Sequence, residues 1–322
     1  STSWWTSWSP NWTRESAWRW EGVNDVTAQP ASPALARSRR SESFGRNWYK
    51  FSRNPVSIIG LATVLLVTFL AVFAPVVAPY PEHAGAFVDF DNASQPPSLQ
   101  HPFGTDVVGR DILSRIFFGF RFSLLMGVIV LTLVVPPGVT LGLLAGYNQG
   151  TWIETVIMRV TDIFLAVPPL ILALAITAVL TPNLTNAMLA VSLMWWPWYT
   201  RLVYGLASTL RNEFFVNSAE AVGASKGHIM FREILPNCIS PIFTKMSLDM
   251  GWVILIGSAL SFVGLGVQPP KPGLGTMIAD GAKYLPDLWW ISVFPALAIV
   301  VVVLGFNLLG DGMRDMYASE EV

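Results

Sequence analysis

The chain is short of charge. Only 13% of its 322 residues are Asp, Glu, Lys or Arg, where a soluble domain carries about 25%. Too few charges exist to cover a water-facing surface, so a soluble globular protein is excluded. Cysteine is nearly absent: Cys238 stands alone, and no intrachain disulfide can form. His83, His101 and His228 are scattered, and no Cys/His cluster reads as a metal site. The formal net charge is -1, so bulk electrostatics suggest no nucleic-acid partner. No stretch matches the phosphate-binding pattern Gly-x-x-x-x-Gly-Lys-Ser/Thr. "GTDVVGRD", Gly104 to Asp111, comes nearest, with Arg where Lys is needed. The first residues lack the basic, apolar and small-residue order of a signal peptide. The first hydrophobic run is therefore expected to stay in the mature protein.

What the chain has in quantity is apolar length. It is 52% hydrophobic, with mean hydropathy +0.50. A bilayer core needs about 20 apolar residues in a helix. Val56 to Pro79 is uncharged and forms a first span. Phe122 to Ile153 holds a second. Ile163 to Thr200 is too long for one crossing, and "TPNLTN", Thr181 to Asn186, splits it. That places span three at 156–180 and span four at 187–205. Span five starts near Cys238 and includes the uncharged Met250 to Pro270; span six is Leu288 to Gly310. The runs are continuous rather than alternating, which excludes a β-barrel. The expected fold is an all-α integral membrane protein with six transmembrane helices.

Lys and Arg placement sets the orientation. Arg37, Arg39, Arg40, Arg46, Lys50 and Arg53 precede span one, and Arg201, Arg211, Lys226 and Arg232 border the loop between spans four and five. Arg159 and Arg314 fall on the same side. The other side holds only Arg110, Arg115, Arg121, Lys271 and Lys283. Both termini and the 208–236 loop are thus expected to be cytoplasmic. Residues 1–50 form a tail of a different kind, with six tryptophans in the first twenty positions followed by a basic linker. Trp4, Trp8 and Trp12 recur every four residues, the spacing of an aromatic stripe, while Pro10 argues for a poorly ordered tail. Residues 51–121 then hold the first span and an extracytoplasmic segment, and 122–322 the remaining core.

Several polar islands break the apolar pattern. "EFFVNSAEAVGASKGHIMFREILPN", Glu213 to Asn237, reads as helix, turn at Gly223, helix capped by Ser225, and stop at Pro236. It is either a solvated connection or a dock for a soluble partner. "GTDVVGRDILSRIFFGFRF" reads as a surface helix capped by Thr105 or Asp106, with Arg110, Arg115 and Arg121 reaching headgroups or water. It either anchors span two or forms part of an outer gate. Lys245 and Asp249 are four apart in span five and can pair, as a buried structural pair or as a face of a translocation path. Arg159 and Asp162 are expected to pair at the interface. Pro136-Pro137 and Pro168-Pro169 are expected to kink their helices. "WWPWY", Trp195 to Tyr199, reads as interfacial aromatics.

The Glu213 to Asn237 stretch resembles the coupling loop of permease subunits in bacterial ABC importers. That pattern is Glu-Ala-Ala, three residues, Gly, nine residues, Ile, one residue, Leu-Pro. Anchored on Gly223, its Leu-Pro falls on Leu235 and Pro236. Its Glu-Ala-Ala falls on Asn217, Ser218 and Ala219, and its Ile on Glu233, so two landmarks depart. Asn217 carries no charge, and Glu220 is the nearest substitute. "RNPVSIIGLATVLLVTFLAVFAPVVAPY", "HPFGTDVVGRDILSRIFFGFRFSLLMG" and "SALSFVGLGVQPPKPGLGTMIADG" resemble the dipeptide/oligopeptide/nickel permease family, C-type subunit, over Arg46 to Tyr317.

The resemblance implies a type I importer permease in the bacterial inner membrane that carries peptides and is not itself an enzyme. It implies partners: a homologous second permease, two ATPases that bind ATP and Mg, and an extracytoplasmic solute-binding protein. Coupling is expected from Asn217, Ser218, Ala219, Glu220, Gly223, Ala224, Lys226, Leu235 and Pro236, and the path from Lys245 and Asp249. Nickel or another small solute is the alternative cargo. A stand-alone secondary transporter would want internal repeats, and none stands out. An intramembrane enzyme would want a catalytic set within the spans, which contain no histidine.

Overall fold

The computed structural model describes residues 48–317. The tryptophan-rich segment, with its expected stripe, lies outside the described residues. Those described fold into helices, with one isolated bridge between Thr105 and Asp111.

Helix α1, Pro55–Val72, starts where the Asn54 side chain accepts a bond from the Val56 amide and Pro55 takes the first turn. Helix α2, Ile112–Tyr147, runs 36 residues without interruption. Its cap is Asp111, whose Oδ2 accepts from the Ser114 amide at 2.8 Å and the Ser114 hydroxyl at 2.7 Å. Thr105 and Asp106, the expected caps, lie too early. The chain first turns back through the Thr105–Asp111 bridge, and only then can an acceptor reach the first free amides. Pro136 and Pro137 leave α2 one helix. Each removes one amide donor, and just past the pair the helix packs closely on a neighbour.

That neighbour is α5, and the route to it bends sharply. Helix α3, Trp152–Leu165, and helix α4, Pro169–Val179, meet at 84°. Pro168-Pro169 causes the break, since each proline disfavours helical backbone in the residue before it. Helix α5, Leu184–Leu210, is capped by Asn183 and lies along α2. Gly138, Gly142 and Gly146 make that approach possible. A Cβ at Gly142 would stand 2.7 Å from the Thr200 carbonyl oxygen and 2.8 Å from Val203 Cβ. The Thr200 hydroxyl donates to the Gly138 carbonyl oxygen at 3.2 Å across this seam. Trp195 and Tyr199 are buried in the same region. The expected interfacial aromatics are therefore partly core: alternate residues of "WWPWY" turn inward and only Trp198 is well exposed.

A short helix α6, Phe214–Ala221, leads to α7, Lys226–Phe262, with a π-helical turn over Ile229–Ile234. Helix α8, Leu274–Ala282, and α9, Trp290–Tyr317, complete the chain. Helix α9 packs on α7 and α1. Helices α1, α2, α7 and α9 are long and apolar enough to cross a membrane, and the bent pair α3 and α4 makes a fifth if it counts as one crossing. Helix α5 has the length but is diluted by Trp, Tyr, Thr and Arg201.

Candidate functional site

The polar stretch quoted above folds into a two-helix projection between α5 and α7. Helix α6 ends at Gly223, whose φ is +83°. The Gly223 amide donates to the Glu220 carbonyl at 2.9 Å and the Ala224 amide to the Ala219 carbonyl at 3.0 Å. These two bonds make the Schellman stop, which needs a left-handed residue at Gly223. Ala219 and Ala224, the apolar pair of that motif, both pack on the core. Ser225 then caps the next helix, its hydroxyl accepting from the His228 amide at 3.3 Å. Val216, Ile229 and Ile234 are buried and fix the projection to the bundle. Phe214 and Val222 stay over 80% exposed and form an apolar tip.

The expected proline stop at Pro236 does not occur. Helix α7 runs through Pro236 and Pro241. The π-helical turn just before shifts hydrogen bonding by one residue, so the missing Pro236 amide falls where the chain changes register. The projection is thus continuous with the whole of α7.

Glu220 is bound back to the bundle. The Tyr147 hydroxyl, at the end of α2, donates to its Oε1 at 3.0 Å, and the Arg211 guanidinium lies 4.7 Å from the Tyr147 ring centre. Asn217 and Ser218 are exposed on the outer face of α6, as are Lys226 and Pro236 at the start of α7. Sequence reasoning missed Tyr147. Its partner is 73 residues away, and nothing in the local pattern marks it.

Lys245 and Asp249 pair as expected, with Lys245 Nζ 3.0 Å from Asp249 Oδ1. The lysine lies 5.7 Å from the Trp198 ring centre and 5.5 Å from that of Tyr199. The Tyr199 hydroxyl and Asp249 Oδ2 are both buried without a hydrogen-bond partner. Lys245 also faces a hollow of about 670 Å³ lined by Asn237, Ser240, Pro241, Thr244, Leu248 and Arg314. The α7 members recur at helical spacing, so this polar stripe was legible in the sequence and overlooked. Asp162 pairs with Arg201 at 2.9 Å, not with Arg159. The bent α3 brings it against α5, and a partner across helices wins over one on its own turn.

At the other end of the bundle lies a buried polar knot. The His83 Nδ1 accepts from the Asp111 amide at 2.8 Å, and His101 Nδ1 lies 3.0 Å from Asp111 Oδ1. Arg115 is buried, donating to the His83 carbonyl at 3.0 Å, and does not reach headgroups or water. The 80–111 segment folds over it and replaces solvent. Burial pushes the His83 imidazole below its ordinary 6.5, so its contribution is present above that pH and is lost as pH falls through the lower folded value. Protonation removes the acceptor that Asp111 uses. As pH falls through that lowered value, the protection factor of the Asp111 amide, its exchange relative to the intrinsic rate, should drop, and His83→Phe should abolish that pH dependence. Unchanged protection at low pH would exclude the knot as the titrating element.

The long apolar helices packed through glycines are those of a multi-pass membrane protein. A solved inward-facing methionine ABC transporter shares the fold over 62% of this chain and 95% of its own, with TM-score 0.51 and 18% identity. The chain belongs to the family of binding-protein-dependent transport system inner membrane components, whose profile matches residues 138–319. Residues 43–97 match the N-terminal transmembrane domain of oligopeptide transport permease C. It is 40% identical to a dipeptide transport system permease of Alkalihalophilus pseudofirmus, over 90% of this chain and 94% of that protein. A di/tripeptide transport system permease of Pseudomonas aeruginosa is also 40% identical, covering 91% and 97%. A glutathione transport system permease of Shigella boydii is 41% identical, covering 83% and 88%. The chain is accordingly a multi-pass inner-membrane protein.

Proposed function

We propose that this chain forms half of the pathway by which an ATP-driven importer carries di- or oligopeptides into a bacterial cell. The peptide cargo rests on the dipeptide and di/tripeptide permeases it resembles. With α3 and α4 as one crossing and α5 as another, the helices make six spans with both ends cytoplasmic. A second, homologous permease completes the pathway. Two separate ATPases bind ATP and Mg and dock on the projection, and a solute-binding protein delivers cargo from outside. The chain itself catalyses nothing.

The observation that carries this reading is the projection. It has an exposed apolar tip, Phe214 and Val222, and one helix, α7, runs from the projection to the Lys245 face. Closure of the ATPases would push α6, and α7 would transmit that push as a rigid-body switch. Asn217, Ser218, Ala219, Gly223, Ala224, Lys226, Leu235 and Pro236 form or support the docking surface. Glu220 anchors it through Tyr147 rather than replacing the charge missing at Asn217.

Proteoliposomes holding the assembled importer should take up a dipeptide only with ATP inside and binding protein outside. Asp249→Ala should depress that uptake, because it leaves Lys245 buried in part without its counter-charge, and Asp249→Ala with Lys245→Ala should recover some of it. ATP-independent uptake by this chain alone would favour a secondary transporter and overturn the proposal.

A further inference from the structure

The hollow beside Lys245 is cationic at its lining, with Asp249, the counter-charge of Lys245, buried outside that lining. Its lining contains two cations, Lys245 and Arg314, and no carboxylate. Asn237, Ser240 and Thr244 add amide and hydroxyl groups on the same face of α7. Polar side chains along a membrane helix are expensive unless they face water or a polar ligand. No Asp or Glu among the described residues lies within 4.0 Å of Arg314, which is exposed.

Lys245 is held in a way that leaves it usable. One of its three N–H donors meets Asp249 Oδ1, and its ammonium sits near two aromatic rings. Asp249 is buried, yet its second oxygen has no partner, and the buried Tyr199 hydroxyl beside it has none either. A lysine turning toward the hollow would not strand that carboxylate, because the phenol can donate to it in the lysine's place.

We infer that the hollow is a subsite for the carboxylate end of the transported peptide, bound between Lys245 and Arg314. The inference rests on the proposed path and adds a polarity to it. The anionic end of the peptide is recognised on this chain, and its ammonium end finds no carboxylate in the lining of the hollow. Asp249 and Tyr199 are positioning residues for Lys245. They do not touch cargo.

The test uses Thr244→Cys in the assembled, nucleotide-free importer. The probes are sulfonatoethyl methanethiosulfonate, which is anionic, and the cationic trimethylammonioethyl reagent. Alanylalanine added at about ten times its half-protecting concentration should slow labelling about tenfold, as occupancy of the site requires. Alanylalanine amide at the same concentration should leave the rate unchanged. Arg314→Gln should remove the protection and lower the anionic-to-cationic rate ratio. Lys245→Gln should do the same, and because it leaves the Asp249 carboxylate without its cation, which a phenol hydrogen bond replaces only in part, the exposed Arg314→Gln keeps the test decisive. Equal protection by acid and amide, or none by either, overturns the carboxylate subsite while leaving the path intact. A Thr244→Cys thiol that neither reagent reaches overturns the path itself.

Discussion

Replacing Gly223 by proline should abolish substrate-stimulated ATP hydrolysis and uptake while the chain still inserts and assembles. Gly223 stands at φ +83°, and proline locks φ near −65°. The substitution also removes the amide that donates to Glu220. Both bonds of the Schellman stop depend on that geometry, so the α6-to-α7 turn must refold at a cost of about 3 kcal/mol. No side chain lies near Gly223 to clash, since a Cβ there would meet nothing within 4 Å. The effect is therefore one of backbone conformation and, for proline, the lost amide rather than of side-chain clash, and it predicts an order. Gly223→Asn should retain most coupling because asparagine tolerates the left-handed region. Gly223→Ala should retain less, with a penalty of about 1–2 kcal/mol, and Gly223→Pro should retain none. Normal stimulated ATPase activity in the proline variant would remove the projection from the coupling route.

The second large effect belongs to the α2–α5 seam. Gly142→Val should cost at least about 1–3 kcal/mol through overpacking, enough to lower the thermal midpoint of the solubilised chain or eliminate its folded yield. The Thr200 backbone at 2.7 Å cannot yield by changing a rotamer. Gly205→Ala is the control. It lies on α5 with nothing within 4 Å of a built Cβ, and the helix gains propensity without a clash. Equal stability of the two variants would mean that the seam is not a close-packed contact. Lipid tails are as apolar as the side chains, so membrane helices associate by close packing and interhelical bonds. Gly138, Gly142 and Gly146 supply the first, and Thr200 the second.

These two sites differ in how much of them the sequence shows. Gly223 is legible because a turn residue between helix-forming stretches has a local signature, and the Ser225 cap was legible for the same reason. The Lys245–Asp249 pair was legible from its four-residue spacing. Asp162 shows the limit. Its nearest partner along the chain was Arg159, but an 84° bend put Arg201 in reach instead. Arg115 likewise looked like a headgroup anchor until the 80–111 segment covered it. The expected stop at Pro236 failed because a π-helical turn absorbs a proline, a choice made by the packing of Ile229 and Ile234 rather than by the proline.

The sequence by itself determined the solvent and the elements. Scarce charge and long apolar runs demand a lipid environment, and in lipid the backbone must bond within each segment. It also determined where the polar projection sits and which glycine turns it. Only the tertiary structure decided what each polar group meets. Tyr147 holds Glu220, Arg201 takes Asp162, the 80–111 segment buries Arg115, and Arg314 shares a hollow with Lys245. The reason is range. Hydrogen-bond periodicity and turn chemistry act within a few residues, whereas these contacts join side chains distant along the chain that come together only when the helices pack.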